Sequence, residues 1–181
     1  MRIISGNNRG AKLYTLEGLE TRPTLDRVKE PLFSIIASNI SDGVILDLFS
    51  GSGALGLECV SRGAKKSYLC DLSKQAIEII NKNVQKLKVS DKVQIDNLSY
   101  EKALDKYSNI KFNIIFLDPP YKTDYAIKAC KFILNNDMLT SCGIIVIETD
   151  EIERILEELG EIQSRIYNQK KYGRVSLIFI K

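Results

Sequence analysis

Residues Val44 to Gly56 read V-I-L-D-L-F-S-G-S-G-A-L-G, and no other stretch of the chain constrains its fold as tightly. An apolar run, Val44 to Leu46, meets an acid, Asp47, and then a loop with glycines at 51, 53 and 56. A helical pattern follows at once, from Ala54 to about Arg62. Strand, glycine loop and helix bring backbone N–H groups and a helix N-terminus up against a ligand. Glycine permits positive φ and removes the Cβ atoms that would block close approach. The stretch therefore predicts a nucleotide-like ligand seated over Gly51, Ser52 and Gly53.

Outward from this stretch the pattern alternates. Strands are expected over 44–49, 67–71, 93–96, 112–117 and 143–149, with helices over 54–62, 73–88, 99–107, 123–136 and 150–160. Strands that alternate with helices imply a parallel sheet with helices on both faces. Two further strand-like segments, 162–170 and 175–180, flank K-Y-G-R and read as a terminal hairpin that adds one antiparallel strand. The expectation is an α/β fold with a mostly parallel seven-stranded sheet. Ahead of it, 2–5 and 11–16 form a β-hairpin around G-N-N-R-G, which carries Arg2, Arg9 and Lys12. On charge alone this hairpin is as consistent with a solvated surface as with a basic arm that touches phosphates. Thr24 is a suitable N-cap for a helix whose apolar face is Val28, Leu32, Phe33, Ile35 and Ile36. Pro31 removes a hydrogen bond from that helix, so either it kinks or its stable part starts near Lys29. The chain reads as one domain over 1–181: hairpin extension 1–20, helix 21–40 and core 41–181.

The composition, 44% hydrophobic and 27% charged over 181 residues, is that of a soluble globular protein. The longest apolar runs are far too short to span a bilayer. M-R-I-I-S-G-N lacks the apolar segment of a signal peptide, so a cytoplasmic location is expected. There is no histidine, which excludes Ser–His–Asp and Cys–His chemistry. Cys59, Cys70, Cys130 and Cys142 form no C-x-x-C pair and read as small core residues, so no metal site is expected. The net charge of +3 permits a nucleic-acid partner without arguing for one.

Three acids fall at the C-terminal ends of expected strands, where a doubly wound sheet binds its ligand: Asp47, Asp71 and Asp118. Asp71 stands where an acid accepts hydrogen bonds from ribose hydroxyls; its competing role is at the cap of the next helix, which Ser73 could fill instead. G-S-G-A-L-G also fits a dinucleotide loop, so it does not identify the ligand alone. Asp118-Pro119-Pro120-Tyr121 discriminates. Two prolines fix a stiff turn, remove two N–H donors and leave carbonyls facing the pocket. Asp118 and those carbonyls suit an amino group, and Tyr121 offers a flat face for a planar base.

Together, R-I-I-S-G-N-N-R-G at the start, R-P-T-L-D-R-V-K-E at 22–30, D-L-F-S-G-S-G-A-L-G-L-E at 47–58 and L-D-P-P-Y at 117–121 resemble the bacterial 16S ribosomal RNA guanine-N2 methyltransferases of the RsmD type. K-Y-G-R-V at 171–175 fits the C-terminal hairpin of that family. The resemblance implies a Rossmann-like methyltransferase fold and S-adenosylmethionine as cofactor. It implies a cofactor site made by Asp47, Phe49, Gly51, Ser52, Gly53 and Asp71, with Asp96, Asn97 and Ser99 competing for the adenine. Asp118, Pro119 and Tyr121 are the implied catalytic residues, with Tyr121 also touching substrate. Arg9, Arg22, Thr24 and Arg27 are implied RNA contacts, and Lys29 a contact to RNA or to the cofactor carboxylate. The implied partner is 16S rRNA, within a 30S subunit or an assembly intermediate. Two rival readings remain: an amino-methyltransferase acting on adenine or on a protein glutamine, and a non-catalytic RNA-binding module that keeps the fold.

Overall fold

Apolar runs such as Ile114 to Leu117 and Ile144 to Ile147 can be hidden only where both faces of a sheet are covered. All of these residues are buried. The structure, a computed structural model, describes residues 1–15, 24–120 and 122–181, with side chains in the first helix from residue 28 onward. Arg22 and Tyr121 lie outside the described residues, as do the side chains of Thr24 and Arg27.

The strands are β1 (Val44–Asp47), β2 (Lys66–Asp71), β3 (Val93–Asn97), β4 (Phe112–Leu117), β5 (Leu139–Thr149), β6 (Ile166–Tyr172) and β7 (Val175–Ile180). They form one sheet in the order β3-β2-β1-β4-β5-β7-β6. Only β7 runs against the others: it is antiparallel to both β5 and β6. The helices are α1 (Thr24–Ile35), α2 (Ala54–Ser61), α3 (Lys74–Leu87), α4 (Tyr100–Tyr107), α5 (Tyr125–Asn135) and α6 (Ile152–Leu159). Among the described residues, α1, α2 and α3 pack on the face that carries Ile45, Leu69 and Ile114. The other three pack on the face of Leu46, Ile115 and Ile145.

Some boundaries move. A 3₁₀ turn, Gly160–Arg165, takes the start of the expected β6. Helix α1 begins at Thr24 and carries Pro31 inside it, so its helical part does not wait for Lys29. Cys59, Cys70 and Cys130 are core residues as expected, but Cys142 is exposed.

The N-terminal hairpin forms one bridge, Arg2 with Lys12, rather than two full strands, and Ile3, Gly10 and Leu13 N donate to the Ala11, Ile3 and Met1 carbonyls around it. Its ladder is short because Ile4 and Ser5 donate their N–H groups to Glu58 of α2 instead, at 2.8 and 3.0 Å. Glu58 is fully buried and also takes Lys29 Nζ at 3.1 Å and Arg62 Nε at 2.8 Å. Lys29, expected to face RNA or cofactor, is thus a buried lysine that donates to Glu58 and to the Arg2 carbonyl. Ser61, the last residue of α2, bonds Ser5 and Asn8, and Asn8 Nδ2 donates to the carbonyl of Leu87, the last residue of α3. Helices that return from parallel strands end at the sheet edge opposite the ligand site. The hairpin tip, with Arg9, is therefore at the edge opposite the C-terminal strand ends.

Gly6 makes that docking possible. At φ +83° its ideal Cβ would stand 1.8 Å from the Ser61 carbonyl oxygen. Gly6→Ala is expected to cost more than about 2 kcal/mol through combined strain and clash. Limited proteolysis should then cut within 1–15 while the core stays intact; an unchanged digestion pattern and melting temperature would refute this.

Candidate active site

The order of the sheet reverses at β1, which pairs with β2 on one side and β4 on the other. A ligand crevice opens outside the strand ends at such a point. A cavity of about 990 Å³ occupies it, lined by Asp47, Phe49 and the loop from Ser50 to Ser52, by Asp71, Leu72, Leu98 and Tyr100, and by Asp118, Pro119 and Pro120.

The glycine loop is held from below. Ser50 N donates to the Cys70 carbonyl, Ser50 Oγ to the Asp47 carbonyl, and Gly53 N to the Ser50 carbonyl. Gly51 and Gly53 adopt φ of +55° and +79°. Gly56 serves packing instead: a Cβ there would come within 2.2 Å of Leu69, so the glycine lets α2 lie against β2. Asp71 is tied to the start of the next helix and to the glycine loop. Its Oδ2 accepts from Gly51 N and its Oδ1 from Ser73 N, both at 2.8 Å, while Ser73 Oγ caps α3. It fixes the loop and still lines the cavity.

Asp47 is almost completely buried. Burial, with Asp118 and Asp71 nearby, pushes its carboxyl up to about 7, against opposing bonds from the Phe49 and Gly56 backbone. Asp118 follows β4 and Glu148 is the last residue but one of β5, and both line the cavity. This wall is acidic, which suits a cationic ligand.

Two expected cofactor residues are not brought to the cavity. Asp96 accepts from Lys106 Nζ at 2.7 Å and from the Tyr107 hydroxyl, and burial is outweighed by these donors, which hold its carboxyl below the usual range. Asn97 donates to the Asp71 and Leu72 carbonyls, outside the lining. The cavity wall at this point is Leu98 and Ser99 instead. Ser99 also caps α4, accepting from Lys102 N. Arg9 is not at the cavity either.

An aromatic wall also lines the cavity, where Phe49, expected at the cofactor, is joined by Tyr100 and Tyr125, which were not expected. Phe49, Tyr100 and Tyr125 converge there, with centroids 5.6 Å apart for Phe49–Tyr100, 4.9 Å for Tyr100–Tyr125 and 6.4 Å for Phe49–Tyr125, the last pair stacked at 5°. Nothing local marks these three as partners. Arg154 of α6 is a second omission: it is paired with Glu151 and Glu158 and donates to the Thr123 carbonyl. Thr123 Oγ1 in turn donates to the Pro120 carbonyl, so α6 braces the turn after Asp118.

Residues 1–181 match the family described as conserved hypothetical protein 95. The chain belongs to this family, which is the RsmD family. A Haemophilus influenzae relative named ribosomal RNA small subunit methyltransferase D is 39% identical over 153 residues, covering 83% of this chain and 79% of that one. A Bacillus subtilis relative, provisionally named an rRNA methyltransferase, is 37% identical over 184 residues, 100% of this chain and 98% of its own. A solved Escherichia coli structure, provisionally called a methyltransferase, superposes with a TM-score of 0.85 at 31% identity, over 99% of this chain and 96% of that one. The RsmD fold is thus the methyltransferase arrangement of a Rossmann-like sheet.

Proposed function

We propose that this RsmD-family protein transfers a methyl group from S-adenosylmethionine to the exocyclic N2 amine of one guanine in 16S rRNA. The observation that carries the reading is that Asp118 and the Pro119–Pro120 turn share one cavity with the glycine loop, on adjacent strands. The names of the relatives support small-subunit rRNA as the substrate. An assembled 30S particle or its precursor is the proposed context.

The cavity fits the donor. S-adenosylmethionine carries an ammonium and a sulfonium, and Asp47, Asp71, Asp118 and Glu148 supply acceptors and negative potential. Leu72, which is 73% exposed, and Leu98 offer apolar surface for adenine. Gly51 and Ser52 present the loop backbone, Phe49 the adjoining ring, and Asp71 its carboxylate toward ribose hydroxyls. Among the described residues, Tyr100 and Tyr125 provide the flat surface expected of Tyr121.

The cofactor supplies an electrophilic methyl group on a sulfonium that leaves as a neutral thioether. The chain must align the amine and absorb the charge that develops on its nitrogen. Asp118 and the Pro119 carbonyl accept the amine's N–H groups. The lone pair is thereby aimed at the methyl carbon as the N–C bond forms and the S–C bond breaks. The surplus proton leaves through Asp118 to solvent. A base within paired RNA must be turned out to reach this pocket.

The direct test is transfer of tritiated methyl to 16S rRNA and to 30S particles, with nuclease digestion of the product. N2-methylguanosine is the expected nucleoside; label in adenosine, in DNA or in protein glutamine would sink the assignment. A companion test uses Asp47. A cationic ligand favours its ionised form, so the cofactor's binding constant should rise about tenfold per pH unit below 7 and level off above it. Calorimetric titration of S-adenosylhomocysteine and S-adenosylmethionine between pH 5.5 and 8 would show a flat profile for Asp47→Asn. The same carboxyl binds more protons folded than unfolded between about 4 and 7, so its contribution to stability falls as pH rises through that window.

A further inference from the structure

Residues 162–181 contain Arg165, Lys170, Lys171, Arg174 and Lys181 and no aspartate or glutamate. Residues 1–16, with Arg2, Arg9 and Lys12, are the other basic stretch without an acid. The fold divides these five cations. Arg165 and Lys181 meet at one end of the β6–β7 hairpin, where Lys181 N donates to the Arg165 carbonyl. Because β6 runs parallel to β5, its C-terminal end points to the edge where the cavity opens. Lys170, Lys171 and Arg174 are therefore at the cavity edge, and Val175, the residue after Arg174, lines the cavity itself. Tyr172 packs with Val28 and Val175 in the cluster under α1, which fixes the turn beside that helix.

All three cations are exposed, and among the described residues none of them makes an ion pair. The acid nearest in the topology is Glu148 of β5, in register with Leu177 and so in one row with Lys170, two strands away on the α1 face, where it lines the cavity. Asp150, Glu151 and Glu153 stand at the start of α6, on the face opposite α1. Glu151 is paired with Arg154. Lys170 lies across from Leu177, whose side chain belongs to the α1-face cluster, so this lysine is on the side away from the acids at the start of α6. Only two strands, β5 and β7, separate β6 from β4 and hence from Asp118. Three strand spacings of about 4.8 Å put the basic turn roughly 14 Å from the reacting centre.

We propose that the β6–β7 turn is a phosphate-gripping surface for RNA, in which Lys170, Lys171 and Arg174 hold the strand that carries the target base. This rests on the RNA substrate proposed above. Arg9, at the tip of the N-terminal arm, is at the far edge of the sheet and does not share this role, whereas the open end of the arm reaches the cavity at Met1 and Thr15. The competing account is that Lys170 and Lys171 only protect an edge strand from pairing with another sheet. That account gives Arg174, in the turn, nothing to do.

The test is the full-length triple variant K170Q/K171Q/R174Q, titrated with 16S rRNA over a series of salt concentrations between about 50 and 200 mM. Neutralising three phosphate contacts should lower the slope of log K against log salt by about 2 and weaken binding tenfold or more at the low-salt end. S-adenosylhomocysteine binding, measured by calorimetry, should be unchanged, which shows that the variant is folded. A slope equal to that of the unsubstituted protein would overturn the proposal, and so would new self-association in sedimentation with RNA binding intact. Transfer by the unsubstituted protein to a base other than guanine would sink the proposed reaction while leaving the slope comparison to decide the turn. Failure of the unsubstituted protein to bind rRNA would overturn both.

Discussion

Asp118→Ala is expected to reduce methyl transfer by about 10² to 10³-fold while changing cofactor affinity only a few-fold. The asymmetry follows from the geometry. Asp118 sits in the cavity wall beyond β4, across from the glycine loop, and the bonds that fix that loop come from Cys70, Asp47 and Asp71 instead. Removing its carboxylate takes away an acceptor for the amine, and with it the stabilisation of positive charge on nitrogen. It leaves Asp71 clamped to Gly51 at 2.8 Å. Asp118 also helps push the Asp47 carboxyl up to about 7, so the variant should bind cofactor with a pH profile displaced toward lower pH. Single-turnover transfer and S-adenosylhomocysteine titration, run on the same preparation, separate the two effects. Full activity in Asp118→Ala would remove the proposed mechanism.

The largest effect on stability is expected from Glu58→Ala. The carboxylate is completely buried, its partner Lys29 is nearly so, and it accepts from four groups on three elements. Burial by itself would raise its pKa, but Lys29 and the other donors more than offset this and hold it below the usual range. Truncation leaves an ammonium in the core without its counter-charge and two hairpin N–H groups without an acceptor. Breaking such a buried pair costs about 3–5 kcal/mol. For a chain of this size that is a drop of about 10 °C in melting temperature. A second variant distinguishes charge from packing. In Lys29→Met/Glu58→Ala the stranded charge is gone, and the double variant should be more stable than Glu58→Ala alone. Thermal unfolding of the set decides this; a Glu58→Ala melting point within a degree or two of the parent would refute the electrostatic account.

Much of the fold was readable because its signals are local. Apolar runs of four to six residues bounded by glycine or proline, alternating with helical periodicity, dictate a parallel sheet whatever the distant contacts are. Ser73 marked the start of α3 through its own side chain, whereas the cap that Ser99 gives α4 came from the structure. The extent of the N-terminal hairpin was not readable. Its ladder ends early because Glu58, more than fifty residues away, takes the N–H groups of Ile4 and Ser5.

The site divides in the same way. Sequence by itself determined the glycine loop, the acids Asp47, Asp71 and Asp118 and the proline turn, because each is a property of the few residues on either side. Only the tertiary structure decided which charges face the cavity. Lys29 looked like one more cation in a basic segment, and burial made it the partner of Glu58 at the margin of the cavity lining. Asp96 looked like an adenine contact, and Lys106 and Tyr107 took its acceptors. Phe49, Tyr100 and Tyr125 became one wall because the end of β1 and the starts of α4 and α5 converge at the reversal in strand order. The direction of each strand then put the N-terminal tip at one edge of the sheet and the C-terminal turn at the other. Charge composition carries no record of direction, and chain topology does.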